Sequence, residues 1–182
     1  MGVDSESLLT ARLALRRPSR VDLDAIWRIH SDPRACAHNP SDLLTAVGQA
    51  EELYVRWDQH WNRHGFGYWA LQPRPGHRPE ATIGFCGLKV MHLRNRDVLN
   101  LFYRLDPNAW GDGFATEAAT AVVGWATEHL PDRPVIARVR PDNVASGKVA
   151  SRAGLRRAEH LDTQGEDGPD WIYATGWAPE QS

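Results

Sequence analysis

A glycine-rich turn stands between an apolar run and a helical pattern near the middle of the chain. Residues 99–105 are almost continuously apolar, and residues 110–115 read Trp-Gly-Asp-Gly-Phe-Ala. Glycine lets the backbone approach a ligand closely. The first amides of a helix carry N–H groups without partners and a partial positive charge of about half a unit. Successive amides over residues 111–115 are therefore able to hold a diphosphate without basic side chains.

Three other interpretations compete for this turn. A P-loop needs Lys followed by Ser or Thr after its last glycine, and no such pair follows Gly113. A dinucleotide-binding fingerprint needs Gly or Ala where Thr116 stands, and an acidic residue about twenty positions later, where the chain has Ala137, Arg138 and Val139. An ordinary tight turn that caps a helix fits the glycines equally well. The turn alone therefore leaves the choice open.

Length and charge limit the classes of protein. The 182 residues suit one domain, which we expect over residues 1–182 with its core at about 8–178. Lys and Arg number 21 against 23 Asp and Glu, which gives no general attraction to nucleic acid or to an anionic membrane. No apolar run approaches the roughly 18–20 residues of a membrane span, and no signal peptide is evident. The two cysteines lack metal-ligand or redox spacing. A cytoplasmic protein without nucleic-acid or membrane partners is expected.

Hydrophobic periodicity predicts strands and helices in alternation. Predicted strands cover residues 12–16, 66–71, 81–90, 99–105, 135–139 and 171–177. Predicted helices cover residues 22–30, 46–61, 115–126 and 144–153. Asn143 is predicted to cap the last helix, and Gly154 to end it. A loop rich in Pro and Gly over residues 72–80 joins the second and third strands into a hairpin.

Several segments, in this order, resemble one known family. They cover residues 9–16, 66–70, 83–88, 103–107, 110–118 and 143–146, followed by Val149 and residues 154–155. Nearly the whole chain, from Leu9 to Trp177, is similar to the GNAT N-acetyltransferases, and within them to the RimJ/RimL-like branch. Trp110 departs from the pattern, since many members carry Gln or Arg there. Each segment is weak evidence alone, but together they identify the chain as a member of this family.

The resemblance implies an α/β fold, classed as α+β in some schemes. In the GNAT fold a central mixed, mostly antiparallel sheet of about six to seven strands splays between its fourth and fifth strands, with about four helices on its two faces. The predicted strands over residues 99–105 and 135–139 flank this gap. The resemblance places the pantetheine arm of an acyl-CoA cofactor in this gap, where its amides pair with strand backbone as an added strand would.

Acetyl-CoA is the cosubstrate that the resemblance implies. The pyrophosphate is expected on the glycine-rich turn, and the thioester near the start of the last helix. The expected cofactor-binding residues are Phe102, Tyr103, Arg104, Leu105, Trp110, Gly111, Asp112, Gly113, Phe114, Ala115, Thr116, Asn143 and Ser146.

The implied reaction is direct attack of a neutral amine on the thioester, without a metal. Many relatives donate a hydrogen bond to the leaving sulfur from a tyrosine of the penultimate helix, where this chain has Ala150. Ser146 matches a serine of the RimJ/RimL branch and, with Asn143, is the catalytic candidate, although a first-turn serine also satisfies helix N–H groups. The base is unassigned, and a relayed water serves as well as a side chain. The weaker candidates for it are Asp97, Asn100, His92 and Glu117.

Two further groups of residues have structural explanations. His60 and His64 lie one helical turn apart, but no Glu follows His60 and no third ligand is evident, so no metal site is expected. Four aromatic residues lie on the second predicted helix and the first strand of the hairpin, the elements that line the amine-acceptor side of the site in relatives. Ordinary core packing accounts for at least half of these four residues. These residues are Trp57, Trp61, Tyr68 and Trp69.

The sequence therefore predicts an acetyl-CoA-dependent N-acetyltransferase that acts on a protein N-terminus or on a small-molecule amine. The alternative is a catalytically silent acyl-CoA-binding module of the same fold, consistent with Ala150 and the unassigned base. Aminoglycoside modification by the same chemistry would need an acidic acceptor cleft, and acidic residues near the hairpin are sparse. Dimerisation is frequent among relatives, which leaves a homodimer open.

Overall fold

The computed structural model describes residues 5–77 and 80–177. Arg78 and Pro79 of the predicted loop lie outside these ranges. The strands are β1 (Ser7–Leu9), β2 (Leu13–Arg16), β3 (Tyr68–Pro73), β4 (Gly84–Leu93), β5 (Arg96–Leu105), β6 (Val135–Val139), β7 (Arg156–Arg157), β8 (Thr163–Gly165) and β9 (Gly168–Ala174). The α-helices are α1 (Leu23–His30), α2 (Gly48–His64), α3 (Phe114–His129) and α4 (Val144–Arg152).

The described strands pair in the order β1-β2-β3-β4-β5-β6-β9-β7, and β8 pairs with β9. Only the β5–β6 pair is parallel among these pairings, so the sheet is mixed and mostly antiparallel, as predicted. It has nine strands because β1, β7 and β8 add short pieces of two or three residues that periodicity does not detect.

The β4–β5 hairpin is longer than the sequence pattern predicts. Both strands have ten residues and stay paired up to Leu93 and Arg96. Arg94 and Asn95 between them have φ of 49° and 60°, the conformation of a two-residue turn whose twist matches the strands. Polar side chains over residues 92–97 interrupt the apolar pattern, but they do not interrupt backbone pairing.

The helix boundaries follow local signals closely. Asn143 Oδ1 accepts a hydrogen bond from the Ser146 N–H at 3.1 Å, which confirms the predicted cap of α4. Gly154 follows that helix with φ of 100°, and Gly65 ends α2 with φ of 76°, both in the left-handed region that glycine adopts easily. Among the described helices, none has the length and apolar character needed to cross a bilayer.

β5 and β6 part after a short stretch of pairing. Their register is limited to residues 99–101 of β5 against residues 135–137 of β6. Beyond this point β5 stays paired with β4 as far as Leu105, whereas β6 pairs with β9 up to Val139. The predicted splay is therefore confirmed, and it opens the sheet beside the second half of β5.

Helices cover the two faces of the sheet. On one face, Ile26 and Ile29 of α1 and Trp57 of α2 pack with Phe85 of β4. On the other face, buried residues of α3 and α4 pack with the sheet, among them Leu13, Leu99, Leu101, Ala118, Val122 and Ala150.

Three of the four marked aromatic residues, Trp57, Trp61 and Trp69, are buried in the core, as packing alone would predict. Trp61 and Trp69 are buried, and their ring centres lie 5.3 Å apart in an edge-on contact. Trp57 is buried at the α1 side of the sheet, and Tyr68 is half-buried. These last two stand beside the opening described below.

Gly87→Ala tests the close approach of β3 and β4. An added Cβ would overlap the carbonyl oxygen of Gly67 and the Cα of Tyr68, both backbone atoms that cannot rotate away. We expect the free energy of unfolding to fall by about 2 kcal/mol or more, as in an overpacked core. Gly124→Ala is the matched control, because Gly124 is exposed in α3 and its Cβ would meet nothing within 4 Å. It should gain about 0.5–1 kcal/mol from helix propensity. Denaturant unfolding measures both, and a Gly87→Ala protein of unchanged stability would contradict this packing.

Candidate active site

A large cavity occupies the place where β5 and β6 part. Its volume is about 1580 Å³, and it extends from the N-terminus of α3, past the start of α4, to α1 and α2 on the other side of β5. Residues 100–105 of β5 all line it. A pocket for one small ligand usually measures roughly 300–1,000 Å³. This cavity therefore has room for two substrates that meet at β5.

The main chain of β5 faces this cavity. The Leu99 N–H donates to the carbonyl of Pro134 at 2.9 Å, and main-chain groups of alternate residues point to the same side of a strand. Tyr103 and Leu105 therefore direct their N–H and C=O groups toward β6, which no longer pairs with β5 there. Trp110 Nε1 donates to the Leu105 carbonyl at 3.3 Å. The main chain of Tyr103 is thus directed into the opening.

Two glycines in the left-handed region shape the turn before α3. Gly111 has φ of 86° and Gly113 has φ of 80°. Gly113 holds the N-cap position of α3, which begins at Phe114, and the first N–H groups of a helix are directed out of its end. Gly111, Gly113, Phe114, Ala115 and Thr116 all line the cavity. A turn of this geometry could hold an anion through its backbone.

Arg12 fastens this turn, a role that the sequence did not indicate. Its Nη1 donates to the Asp112 carbonyl at 2.8 Å, its Nε donates to Glu117 at 2.7 Å, and its guanidinium lies 4.4 Å from the centre of the Phe114 ring. Glu117 also accepts from the Thr10 hydroxyl at 2.6 Å and from the Arg12 N–H at 2.8 Å. Burial alone would raise the pKa of Glu117, but these hydrogen bonds and the Arg12 charge outweigh it and lower that pKa. Glu117 is therefore an anchor between α3 and the β1–β2 turn.

The predicted cofactor residues divide into two faces along β5. All of them except Asp112 line the cavity. Phe102 packs with the cluster beneath α1 and α2, whereas Tyr103 packs with the cluster beneath α3 and α4. Arg104 lies 5.3 Å from the centre of the Phe102 ring, on the same face as that residue. The strand therefore separates an α4 side of the cavity from an α1 side.

Ser146 meets a tyrosine of the neighbouring strand. Its Oγ lies 2.5 Å from the Tyr103 hydroxyl, while the cap of α4 is provided by Asn143. Ala150, one turn later in α4, also lines the cavity but brings no polar group. Burial raises the pKa of Tyr103 to about 12, so this hydroxyl is protonated at neutral pH.

The four weaker base candidates are not brought together. His92 and Asp97 face each other across the β4–β5 hairpin at 3.2 Å, both more than 60% exposed, and neither lines the cavity. Glu117 is engaged at the β1–β2 turn. Asn100 does line the cavity, and its buried Oδ1 has no hydrogen-bond partner in the described part of the chain. An amide oxygen accepts hydrogen bonds but does not serve as a base at neutral pH.

Aromatic rings wall the α1 side of the cavity. His30, Trp57, Tyr68 and Phe102 all line it. The rings of Tyr68 and Phe102 stack with centres 4.7 Å apart, and Trp57 meets Tyr68 edge-on at 5.4 Å. Flat apolar walls of this kind favour a compact or flat ligand.

His30 is a neutral imidazole within this wall. It is 2% exposed, its Nδ1–H donates to the Ile26 carbonyl at 3.0 Å, and its Nε2 has no partner among the described residues. Burial, together with the positive charge of Arg104, lowers the pKa of His30 to about 3. Arg104 itself is 7% exposed and pairs with Asp42 at 2.8 Å. At neutral pH His30 therefore presents a hydrogen-bond acceptor.

The loop between α1 and α2 crosses to the opposite rim of the cavity. Ser41 donates to Asp167 of the β8–β9 turn through its N–H at 3.2 Å and through its hydroxyl at 2.6 Å. His38 lies 3.4 Å from Asp142 in the β6–α4 loop. These contacts are exposed to solvent, and they close the rim on the α1 side.

The His60 side chain bridges two backbone groups at the edge of the β3–β4 pairing. Its Nδ1–H donates to the Phe66 carbonyl at 2.8 Å, and its Nε2 accepts from the Val90 N–H at 3.1 Å, beyond the end of β3. Burial lowers the pKa of His60, which agrees with this neutral form. In the described ranges, no group of three or more His, Cys, Asp or Glu side chains is arranged to hold a metal ion.

A family model for the acetyltransferase (GNAT) domain matches residues 12–156 of the chain. The chain belongs to the GNAT family. It is accordingly an acyltransferase, as the sequence predicts. An N-acetyltransferase p20 of Bacillus licheniformis, itself named as uncharacterized, is 25% identical to this GNAT chain over 152 residues, which are 84% of this chain and 83% of the relative.

Solved structures share the fold. An acetyltransferase from Agrobacterium tumefaciens superposes with a TM-score of 0.77 at 24% identity, over 97% of this GNAT chain and 98% of the other. A RimL ribosomal alpha-N-protein acetyltransferase in complex with coenzyme A superposes with a TM-score of 0.73 at 16% identity, over 92% and 96% of the two chains. The predicted GNAT fold with RimJ/RimL-like relatives is confirmed.

His30 makes the stability of this GNAT chain sensitive to acid. Its pKa in the folded state, about 3, lies below the ordinary value of 6.5, so the unfolded chain takes up this proton first. The stability that it contributes is complete above pH 6.5 and is lost as the pH falls toward 3, by at most about 1.4 kcal/mol per pH unit. Denaturant unfolding between pH 7 and pH 4 should show a shallower loss for His30→Leu than for the wild type. His92→Leu, at an exposed position, is the control, and parallel curves for wild type and His30→Leu would refute this account.

Proposed function

We propose that this GNAT chain transfers the acetyl group of acetyl-CoA to a primary amine, either the α-amine of a protein or a small-molecule amine. One observation carries the proposal. The N-terminus of α3, the part of β5 that no longer pairs with β6 and the aromatic wall beside α1 all border a single cavity. An anionic, extended donor and a compact acceptor can therefore meet at the same strand.

The α4 side of the cavity suits the donor. Backbone N–H groups over residues 111–116 are positioned for a diphosphate at the helix end. The main chain at Tyr103 offers the pantetheine amides the partners that β6 would otherwise supply. With this arrangement the thioester lies near Ser146 and Asn143, at the start of α4. Ser146 and Asn143 therefore remain the candidates for contact with the reacting thioester.

The α1 side suits an amine that loses its proton easily. Apolar rings and the positive charge of Arg104 lower the pKa of His30, and the same surroundings oppose protonation of an amine bound beside it. An α-amino group has a pKa of about 7.7–8.0, against about 10.4 for lysine, so it reaches its neutral form at far lower cost. We therefore propose α-amines, and small amines of similar pKa, ahead of lysine side chains.

A catalytically silent acyl-CoA-binding module is the second candidate. It is favoured by Ala150 in the cavity wall, where relatives carry a tyrosine, and by the position of His92, Asp97 and Glu117 outside the cavity. For both candidate functions, a single domain over residues 1–182 is predicted, and a homodimer is predicted as an open possibility.

Release of coenzyme A thiol from acetyl-CoA separates these two functions. We expect release with a lysine-free peptide that has a free N-terminus, and at least about tenfold less with the matched peptide whose N-terminus is blocked and which carries one lysine. Binding of acetyl-CoA without release by any amine would support the silent module instead. Faster reaction of the lysine peptide would overturn the preference for α-amines but leave the transferase function standing.

Gly113→Val tests the diphosphate site. A branched side chain at this left-handed position would stand where the phosphates approach the backbone, and we expect binding of acetyl-CoA to be abolished. Gly76→Val is the matched control, since Gly76 has φ of 89° in the β3–β4 loop and an added Cβ there meets nothing within 4 Å. It imposes similar backbone strain away from the cavity. Isothermal calorimetry that found equal affinity in both variants would count against the assignment of this turn.

A further inference from the structure

The hydroxyl groups of Tyr103 and Ser146 meet across the opening beside β5. Their oxygens lie 2.5 Å apart, at the short end of the range for O–H···O hydrogen bonds. Tyr103 reaches the pair from β5, and Ser146 reaches it from the first turn of α4. Both side chains line the cavity, next to the strand edge that the proposed function assigns to pantetheine.

Ser146 behaves differently from the second serine of the same helix. Ser151 donates to the carbonyl of Gly147, four residues earlier, at 2.9 Å, the usual contact of a serine within a helix. Ser146 is in contact with Tyr103 instead, and the cap at the helix start is made by Asn143. The Ser146 hydroxyl is therefore turned toward the cavity and is not needed by its own helix.

The chemistry of the two hydroxyls indicates the direction of their hydrogen bond. A phenol is the stronger donor, and the oxygen of an aliphatic alcohol is the better acceptor. When Tyr103 donates, the Ser146 oxygen accepts and its own proton is free to point into the cavity. Because the Ser146 oxygen accepts a hydrogen bond from Tyr103, the Ser146 O–H becomes a stronger donor.

Proton transfer from Tyr103 to the leaving sulfur would run energetically uphill. Burial raises the pKa of Tyr103 to about 12, whereas a thiol titrates near about 8.5. A thiolate therefore does not remove the Tyr103 proton. The contribution of the pair is a directed hydrogen bond.

We propose that Tyr103 is a positioning residue that donates to Ser146 and so directs the Ser146 O–H at the sulfur of the acyl donor. This rests on the proposed function. During transfer the C–N bond forms, the C–S bond breaks and the sulfur takes the electron pair. The proton that the amine loses ends on the sulfur, so both hydroxyls keep their protons. The neighbouring strand thus compensates for the hydroxyl that Ala150 does not supply.

Steady-state kinetics test the pairing. Tyr103→Phe should lower kcat about tenfold with the KM for acetyl-CoA within about twofold, as expected for a residue that orients a reacting group. Ser146→Ala should lower kcat about a hundredfold. The double variant should be about as slow as Ser146→Ala alone, because the two groups act as one unit. Independent, multiplying effects, or a Tyr103→Phe protein with wild-type kcat, would overturn the proposal.

A matched control and an isosteric series separate positioning from packing. Tyr173→Phe removes another tyrosine hydroxyl that lies against α4, near Gly147, and should leave kcat unchanged. Fluorinated tyrosines incorporated at position 103 keep the ring in place and make the phenol a stronger donor. We expect kcat to rise steadily along this series, whereas a packing role predicts a flat response.

The thiol of bound coenzyme A gives a readout that needs no amine. Thiolate absorbance during a pH titration should show that the pKa of the thiol is lowered when coenzyme A is bound to the wild type, and lowered less when it is bound to Tyr103→Phe. Equal thiol pKa values in the two proteins would overturn the role of Tyr103, whether or not acetyl transfer occurs. A shift that disappears in Tyr103→Phe, in a protein that acetylates no amine, would uphold this inference and defeat the proposed function.

Discussion

Backbone N–H and C=O groups need partners wherever they are removed from water, and the second half of β5 loses them on the side where β6 departs. β5 does not bend toward β6, because it stays paired with β4 along all ten of its residues. β6 likewise follows its outer neighbour β9 as far as Val139, although its pairing with β5 ends at Ala137. The sheet is thus held open by pairing on both sides of the gap. In the proposed function, an extended ligand with amide groups would complete this edge as a strand does.

The proposed function requires the turn before α3 to hold an anion through its backbone. Arg12 is the basic side chain fastened to this turn, and it is engaged by Glu117, by the Asp112 carbonyl and by the face of the Phe114 ring. Its charge is largely balanced by the carboxylate, so the helix end supplies the attraction. This explains how a chain with a formal net charge of −2 can provide a site for a diphosphate.

Local signals predicted the parts of the site that depend on neighbouring residues. The glycine-rich turn before α3, the cap at Asn143 and the apolar β5 strand all follow from short-range rules. The contacts of Tyr103 with Ser146 and of Arg12 with Glu117 span 43 and 105 residues, and no periodicity encodes such distances. His30 was missed as a cavity residue for the same reason, since its burial depends on Trp57, Phe85 and Phe102. The resemblance to a family supplied the splay, which single-strand patterns do not contain.

The two ends of the cavity differ in stiffness. One end lies on β5, which is paired with β4 over ten residues, and beside the turn before α3, which Arg12 holds. The acceptor rim is closed by exposed contacts from the α1–α2 loop, through Ser41 to Asp167 and through His38 to Asp142, and exposed pairs of this kind contribute little free energy. Opening the rim leaves the register of β5 intact. Under the proposed function, acceptors of unequal bulk would enter and depart at this rim while the part of the cavity along β5 keeps its shape.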